Sequence, residues 1–261
     1  MLNITPEPAV LGATVTGLDL REPLSSDLVA NVRAALLHHQ VLFFPEAGLS
    51  PLEQIRFGQS FGPLQCHPSL DALAEYPEVV VFDTGKGSRA AEWWHSDVTC
   101  APEPPMGAIL QMVIAPPRGG ATHWASMTAA YDALDDETKR RIDGLEAMHR
   151  SWWLPVQESV HPIVRTHPET GRKAIFVNGI FTKQIVGMTE SESAELLQEL
   201  LAHATRDDFA VRHDWRPGDI AFWDNRCTQH RVDDDFAPAQ RRAHRIAIDG
   251  DVPFRRRAEV A

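Results

Sequence analysis

His95 and Asp97 stand one residue apart in Trp94-His95-Ser96-Asp97, and a second histidine, His230, follows Asp224-Asn225-Arg226-Cys227-Thr228-Gln229. Two imidazoles and one carboxylate are the donors of the facial triad that holds non-haem Fe(II) and leaves coordination positions open. Zinc fits the same donors but has no redox chemistry. The pattern therefore predicts an oxygenase. In an extended strand residues i and i+2 point to one face, so this spacing lets His95 and Asp97 reach a common ion. His230 must then arrive from a distant strand.

Such a site leaves coordination positions open for a co-substrate and for O2. An anionic co-substrate or substrate needs a partner for its charge, and a guanidinium fork supplies two charge-assisted hydrogen bonds. Arg241, Arg242 and Arg245 lie just beyond His230. In an extended segment Arg241 and Arg245 share one face and Arg242 points the other way. With twelve histidines in the chain, an isolated HxD carries little weight. The joint pattern carries more: HxD after an aromatic pair, a downstream histidine, then an arginine cluster.

The elements that must position these residues are short. Val10 to Leu20 reads as a strand and turn, and Ser25 caps an amphipathic helix to about Leu37. Val41-Leu42-Phe43-Phe44 reads as a buried strand, Pro51 opens a helix to about Phe61, and Val79 to Phe82 is another apolar strand. A loop from Gly85 to Ser88 then delivers the chain to His95. A strand over Ala108 to Ile114, the turn Pro116 to Gly120 and Thr122-His123-Trp124 come next, followed by helical periodicity from Met127 to about Met148. Lys173 to Val177 reads as a strand and Glu190 to His203 as a surface helix, and Gly218 to Trp223 leads toward His230. Regular βαβ alternation and a GxGxxG loop are absent. The expectation is a mainly β fold with helical additions around a double-stranded β-helix, or jelly-roll, core.

The 261 residues, 43% hydrophobic, suffice for one domain over 1–261 with a substantial core. Cys66, Cys100 and Cys227 form neither an even disulfide framework nor a CxxC pair, which predicts reduced thiols in a cytoplasmic protein. The N-terminus lacks the basic region and apolar run of a secretory signal, and no run of about 18 apolar residues occurs, so no membrane span is expected. A formal charge of −11 argues against nucleic-acid binding while leaving a local basic site for a small anion compatible. Arg255 to Ala261 reads as a loose charged tail.

Over nearly its whole length the chain resembles the taurine dioxygenase family of Fe(II)- and 2-oxoglutarate-dependent enzymes, which includes alkylsulfatases and phenoxyalkanoate dioxygenases. The match begins at Gly12-Ala13, Gly17 and Asp19-Leu20, continues through His39-Gln40-Val41, Phe61-Gly62 and His67-Pro68, and is most specific from Trp94 to Thr99. It resumes at Gly119 to Thr122, Val164 to Pro168, Trp223 to Arg226 and Arg241 to Asp251. The resemblance implies His95, Asp97 and His230 as iron ligands, Arg241 as the 2-oxoglutarate arginine and Thr122 as the hydroxyl that assists it. It also implies an anion clamp for substrate made of Arg245, His67 and the backbone N–H of Val98. The competing assignments are contact of Arg245 with only the co-substrate or a structural carboxylate, and a His67 without a ligand role. Arg242 is expected to be a solvated or packing side chain.

Some positions depart from the family pattern. Leu70 stands where taurine-specific members carry a tyrosine, and Ala90-Ala91 replace polar residues before the HxD. Trp152 and Trp153 fall in a region that contributes to the family's substrate pocket, and Phe181 matches an aromatic position there. Apolar lining with an anion clamp suits a small anionic organic substrate with a hydrophobic tail. The resemblance implies hydroxylation of the carbon beside the acidic group of a taurine-like, alkyl or aryl sulfonate, or of a sulfate ester. Fe(II), 2-oxoglutarate and O2 would be used, and succinate and CO2 formed. A carboxylate substrate such as a phenoxyalkanoate is the second reading, and a non-catalytic jelly-roll binding protein or sensor the third. The family also implies a homo-oligomer, dimer or tetramer, and the loops Gly85 to Trp93 and Arg150 to Ser159 are the lid candidates.

Overall fold

Strand Val41–Phe44 is buried at every position, as an apolar run must be when both faces of its sheet are covered. In the computed structural model, which describes residues 2–67, 69–151 and 157–256, this strand lies inside a nine-stranded sheet. Its order is Asn3–Pro6, Ala13–Thr16, Val41–Phe44, Ile220–Asp224, Gly107–Ile114, Arg242–Ile248, Tyr76–Asp83 and Ala72–Leu73, with Leu64–Gln65 also paired to Arg242–Ile248.

Successive side chains go to opposite faces. Leu42, Phe44, Ile109, Ile220, Phe222 and Ile246 pack with Leu36, Ile55 and Phe57 from helices Ser26–His39 and Pro51–Gln59. Val41, Phe43, Leu110, Ala221, Trp223 and Ala243 pack on the other face with Trp124 and Val211. Those two residues belong to a second sheet of Ala210–His213, Thr122–Ser126 and Thr228–Val232. Two sheets closing on one apolar core are the expected jelly-roll sandwich. Both helices begin as the sequence predicts: Ser25 accepts from the Leu28 amide, and Ser50 with Glu53 forms a reciprocal capping box.

A small third sheet pairs Glu146–Arg150 with Glu158–Pro162 and Thr182–Ile185. It packs on helices Met127–Asp132 and Glu190–Ala204 through Ala147, Ile185, Met127 and Leu196. This corrects the single helix expected from Met127 to Met148. Helix Met127–Asp132 ends at Ala133, Asp135 caps a separate helix Asp136–Ile142, and the chain then becomes a strand whose Ala147 and His149 point inward. Apolar spacing compatible with a helix has been used by two short helices and a strand.

Two further expectations change. His95 alone is bridged, exchanging backbone hydrogen bonds of 3.0 and 2.7 Å with His230. Asp97 already opens a turn, so a strand's same-face rule does not align the pair. At the C-terminus Arg255 is not loose: its guanidinium makes two hydrogen bonds to Asp143, and the Arg256 amide donates to Thr166 Oγ1. The rest of the expected tail, 257–261, lies outside the described residues.

Candidate active site

The backbone bridge places the His95 and His230 rings 4.2 Å apart. His95 Nδ1–H donates to the Trp93 carbonyl at 2.8 Å, which fixes the tautomer and leaves the Nε2 lone pair for an ion. Asp97 is held by its backbone: its N–H donates to Asn225 Oδ1 at 2.7 Å, and Asn225 Nδ2 donates to the Asp97 carbonyl at 3.1 Å and to the Pro105 carbonyl at 3.0 Å. Donor atoms of His95, Asp97 and His230 lie within 4.8 Å of one another, all three residues being buried.

Electrostatics prepare these groups for a cation. Burial would raise the Asp97 carboxyl, but the Arg245 guanidinium beside it holds it at about 2. Burial pushes His230 down to about 3 and also lowers His95. Neutral pH therefore finds a carboxylate and two neutral imidazoles. Asp97 Oδ1 accepts from Arg245 Nη1 at 2.5 Å, whereas Oδ2 is buried with no hydrogen-bond partner among the described residues. An orphaned carboxylate oxygen on a residue grouped with two neutral imidazoles fits a divalent ion.

Arg241 sits one residue before strand Arg242–Ile248, anchored where its N–H donates to Thr84 Oγ1 at 2.9 Å. Its buried guanidinium reaches only the Gly120 carbonyl at 3.3 Å and Thr122 Oγ1 at 3.4 Å, with no carboxylate partner among the described residues. Burial lowers it to about 10, so it remains a cation. Thr122 Oγ1 also accepts from Trp215 Nε1 at 2.8 Å. Gly120 is needed at this approach, since its φ is +68° and a Cβ there would lie 3.3 Å from Arg241 Cδ. Arg241, Arg245, Thr122, His95 and His230 line one small cavity of about 70 Å³. Arg242 instead lies half-buried, 3.8 Å from Asp83.

A wider cavity of about 420 Å³ is lined by His67, Val98 and Arg245, so Arg245 borders both spaces. His67 Nδ1 accepts from the Ser69 and Leu70 amides at 3.3 and 3.1 Å, which leaves its proton on Nε2. Burial, then the Arg245 charge, pushes His67 down to about 4. Val98 has φ +49°, and its N–H makes no hydrogen bond among the described residues. Phe181 is not among the residues lining either cavity; it packs against Cys100 and Val98. Ala90 and Ala91 border the small cavity, Leu70 is exposed, and Trp152 and Trp153 lie outside the described residues. Glu103, Gln65 and Gln157 add polar groups to the wide cavity's wall, a feature absent from the apolar lining expected from sequence. Of the two lid candidates, Arg150 to Ser159 lies partly outside the described residues, and the other is tied at Ala91, whose carbonyl accepts from Val232 N at 2.9 Å.

A second close set, His167, Asp224 and Cys227, has donor atoms equally near, but its chemistry is already satisfied. Asp224 accepts from Arg226 Nε, Arg226 Nη2 and His167 Nε2, while His167 Nδ1 accepts from the Glu169 and Thr170 amides. Burial raises the Cys227 thiol well above its usual range. With both imidazole nitrogens engaged and the thiol protonated, this set is a structural network.

The family model described as "Taurine catabolism dioxygenase TauD, TfdA family" matches residues 3–247. The chain is 33% identical to an alpha-ketoglutarate-dependent sulfate ester dioxygenase of Pseudomonas putida, covering 97% of this chain and 91% of that one. It is 33% identical to an (S)-phenoxypropionate/alpha-ketoglutarate-dioxygenase of Sphingobium herbicidovorans, over 88% of each. The crystal structure of a taurine dioxygenase from Burkholderia xenovorans superposes with a TM-score of 0.90 at 40% identity, covering 97% of this chain and 90% of that one.

Proposed function

Since this chain belongs to the taurine catabolism dioxygenase TauD, TfdA family, we propose that its one domain, residues 1–261, hydroxylates the carbon beside the acidic group of a small organosulfur anion. Fe(II) and 2-oxoglutarate are its cofactor and co-substrate. His95, Asp97 and His230 hold the metal. Bound there, Fe(II) supplies the oxygen-activating redox chemistry that couples oxidation of 2-oxoglutarate to succinate and CO2 with insertion of oxygen into the substrate C–H bond. The hydroxylated product of a sulfonate breaks down to an aldehyde and sulfite, and that of a sulfate ester to an aldehyde and sulfate.

Arg241 and Thr122 bind the remote carboxylate of 2-oxoglutarate. The observation that carries this reading is the buried, carboxylate-free Arg241 guanidinium in the same small cavity as two of the three metal donors, because a buried cation without a counter-charge is costly until an anion arrives. His67 Nε2–H, the Val98 N–H and Arg245 orient the acidic head of the substrate from the wider cavity. Arg245, at the boundary, also neutralises charge on the co-substrate side. Phe181 and Cys100 form the small buried cluster against which Val98 packs. Orientation is the protein's main contribution, since misplacement of a reacting C–H by about 1 Å costs on the order of 100-fold.

A carboxylate substrate is the second reading, favoured by the phenoxypropionate dioxygenase relative, because one guanidinium binds either head group. No helix among the described residues is long and apolar enough to cross a membrane. We place the protein in the cytoplasm on its free cysteines, as a dimer or tetramer in keeping with its family. The test is parallel detection of succinate, sulfite and sulfate from iron-reconstituted protein given sulfonates, sulfate esters and phenoxyalkanoates. Matched succinate and sulfite or sulfate supports the organosulfur reading. Substrate-stimulated succinate with neither product transfers the assignment to a carboxylate.

A further inference from the structure

The Val98 amide belongs to a residue in an unfavourable place. A φ of +49° is the left-handed region that β-branched side chains avoid, so something outside the turn must hold it. The next three residues show what does. Thr99 is fully buried; its Oγ1 accepts from Asn178 Nδ2 at 2.9 Å and lies 2.9 Å from His149 Nδ1. The Cys100 carbonyl accepts from Ser159 Oγ at 2.9 Å, and the Ala101 carbonyl from His161 Nε2 at 3.0 Å. The turn closes on itself where the Ala101 N–H donates to the Val98 carbonyl at 3.0 Å.

These restraints come from strands Glu146–Arg150 and Glu158–Pro162 and from the loop at Asn178, whose Oδ1 is fixed by the Ile180 and Phe181 amides. Val98 itself borders the wide cavity. The small third sheet thus grips the turn through Thr99, Cys100 and Ala101, and Val98 is left bordering the substrate space. Burial keeps His149 neutral, pushing it down to about 3, so no positive charge competes with the clamp. Gln157, beside the strand that carries Ser159 and His161, lines the same cavity, so one strand supports both the cavity wall and the turn.

We infer that Thr99, His149 and Asn178 are positioning residues for substrate recognition: a buried hydroxyl, imidazole and amide that hold Val98 in its left-handed conformation and so aim its N–H at the anionic head. The inference rests on the reading that His67, Val98 and Arg245 bind that head. Thr99→Val preserves side-chain shape and removes the hydroxyl; Thr99→Ser restores it.

The experiment measures KM for the best anionic substrate, KM for 2-oxoglutarate and substrate-free succinate formation for wild type and both variants. Hydrogen–deuterium exchange over 97–101 is followed alongside. For Thr99→Val the expected result is a substrate KM raised about 10-fold, the worth of one well-aimed hydrogen bond, with KM for 2-oxoglutarate unchanged, faster exchange over the turn, and recovery in Thr99→Ser. An unchanged substrate KM, or equal rises in both KM values, overturns the inference. If Thr99→Val does not fold, Ser159→Ala removes the bond to Cys100 and carries the same expectation at smaller size. Wild-type protein whose succinate formation no anionic substrate stimulates removes the clamp reading and the inference together; a stimulated wild type with a normal Thr99→Val removes the inference alone.

Discussion

Replacing Arg241 by Met tests the co-substrate assignment because two effects of the change have opposite signs. The guanidinium is buried and lacks a carboxylate partner among the described residues, and burial lowers it from 12.5 to about 10. That gap corresponds to roughly 3 kcal/mol. A base whose folded-state pKa lies below its unfolded value opposes folding wherever it is protonated. At neutral pH the whole cost is therefore present, and it is relieved only between about pH 10 and 12.5. Met has similar bulk and no charge, so the ligand-free variant gains up to roughly 3 kcal/mol, equivalent to about 6–12 °C in Tm. The hydrogen bonds lost, at 3.3 and 3.4 Å, are long and offset only part of this gain. Binding changes the other way. Two charge-assisted hydrogen bonds at about 1.5–3 kcal/mol each disappear, which raises half-saturating 2-oxoglutarate by roughly 10²- to 10⁴-fold. The assay is thermal unfolding with a redox-silent divalent metal, with and without 2-oxoglutarate. Wild type gains about 2.7 kcal/mol at 100 times its Kd, and Arg241→Met gains almost nothing at that concentration. A variant that melts below wild type yet keeps the full ligand-induced rise refutes the reasoning, since Arg241 would then be a structural cation.

His95→Ala and Asp97→Ala abolish turnover in iron-replete assays, and a variant with near-wild-type succinate formation leaves the ligand set. Asn225→Ala frees both ends of the Asp97 peptide and lowers metal affinity about 10- to 100-fold, as loss of a ligand-orienting partner does elsewhere; unchanged metal affinity by competition titration contradicts that role. Arg245→Ala raises KM for anionic substrates by about 10- to 100-fold, from the loss of one or two charge-assisted bonds, and retained anion selectivity counts against the clamp. His67, held at about 4 by burial and then by Arg245, stays neutral through pH 6.5, and its contribution to stability is lost only as pH falls below 6.5 toward 4. The substrate KM is accordingly flat through pH 6.5, and an inflexion there that vanishes in His67→Gln contradicts a neutral donor.

The residue types of this site are legible because each local sequence carries its chemistry: HxD for an ion, an arginine pair for a carboxylate. The reason for their convergence is not. The donor atoms of His95 and Asp97 come close enough to share an ion because a backbone bridge fixes one residue and Asn225 fixes the peptide of the other, 128 positions away. Thr99 depends on Asn178 and His149 in the same way. No periodicity announces such partners, since a buried hydroxyl or amide is specified by what faces it in space. The fully buried strands were readable for the opposite reason: Val41 to Phe44 needs no partner's identity, only two covered faces. Strand Glu146–Arg150 was hidden because Ile142, Leu145 and His149 fall at i, i+3 and i+7, a spacing a helix also satisfies, and only pairing to Glu158–Pro162 and Thr182–Ile185 decides between the two.

Arg245 ties the two halves of the site together. Without ligands it is paired with Asp97 at 2.5 Å, so the alternative of a carboxylate partner and the substrate-clamp assignment describe the same guanidinium with different neighbours. Asp97 Oδ2 has no partner, which leaves the carboxylate able to serve an ion and the guanidinium together. On the proposed ligand set, a divalent ion held by Asp97 and the two imidazoles would draw on that carboxylate's charge, and Arg245 Nε, buried without a hydrogen bond among the described residues, would take another acceptor. The wide cavity is where an external anion can supply one. On the proposed assignment metal occupancy and anion recognition share one carboxylate–guanidinium contact, so substrate-anion titrations with and without a redox-silent divalent metal are expected to show tighter binding to the metal-loaded protein, and equal affinity in both contradicts the coupling.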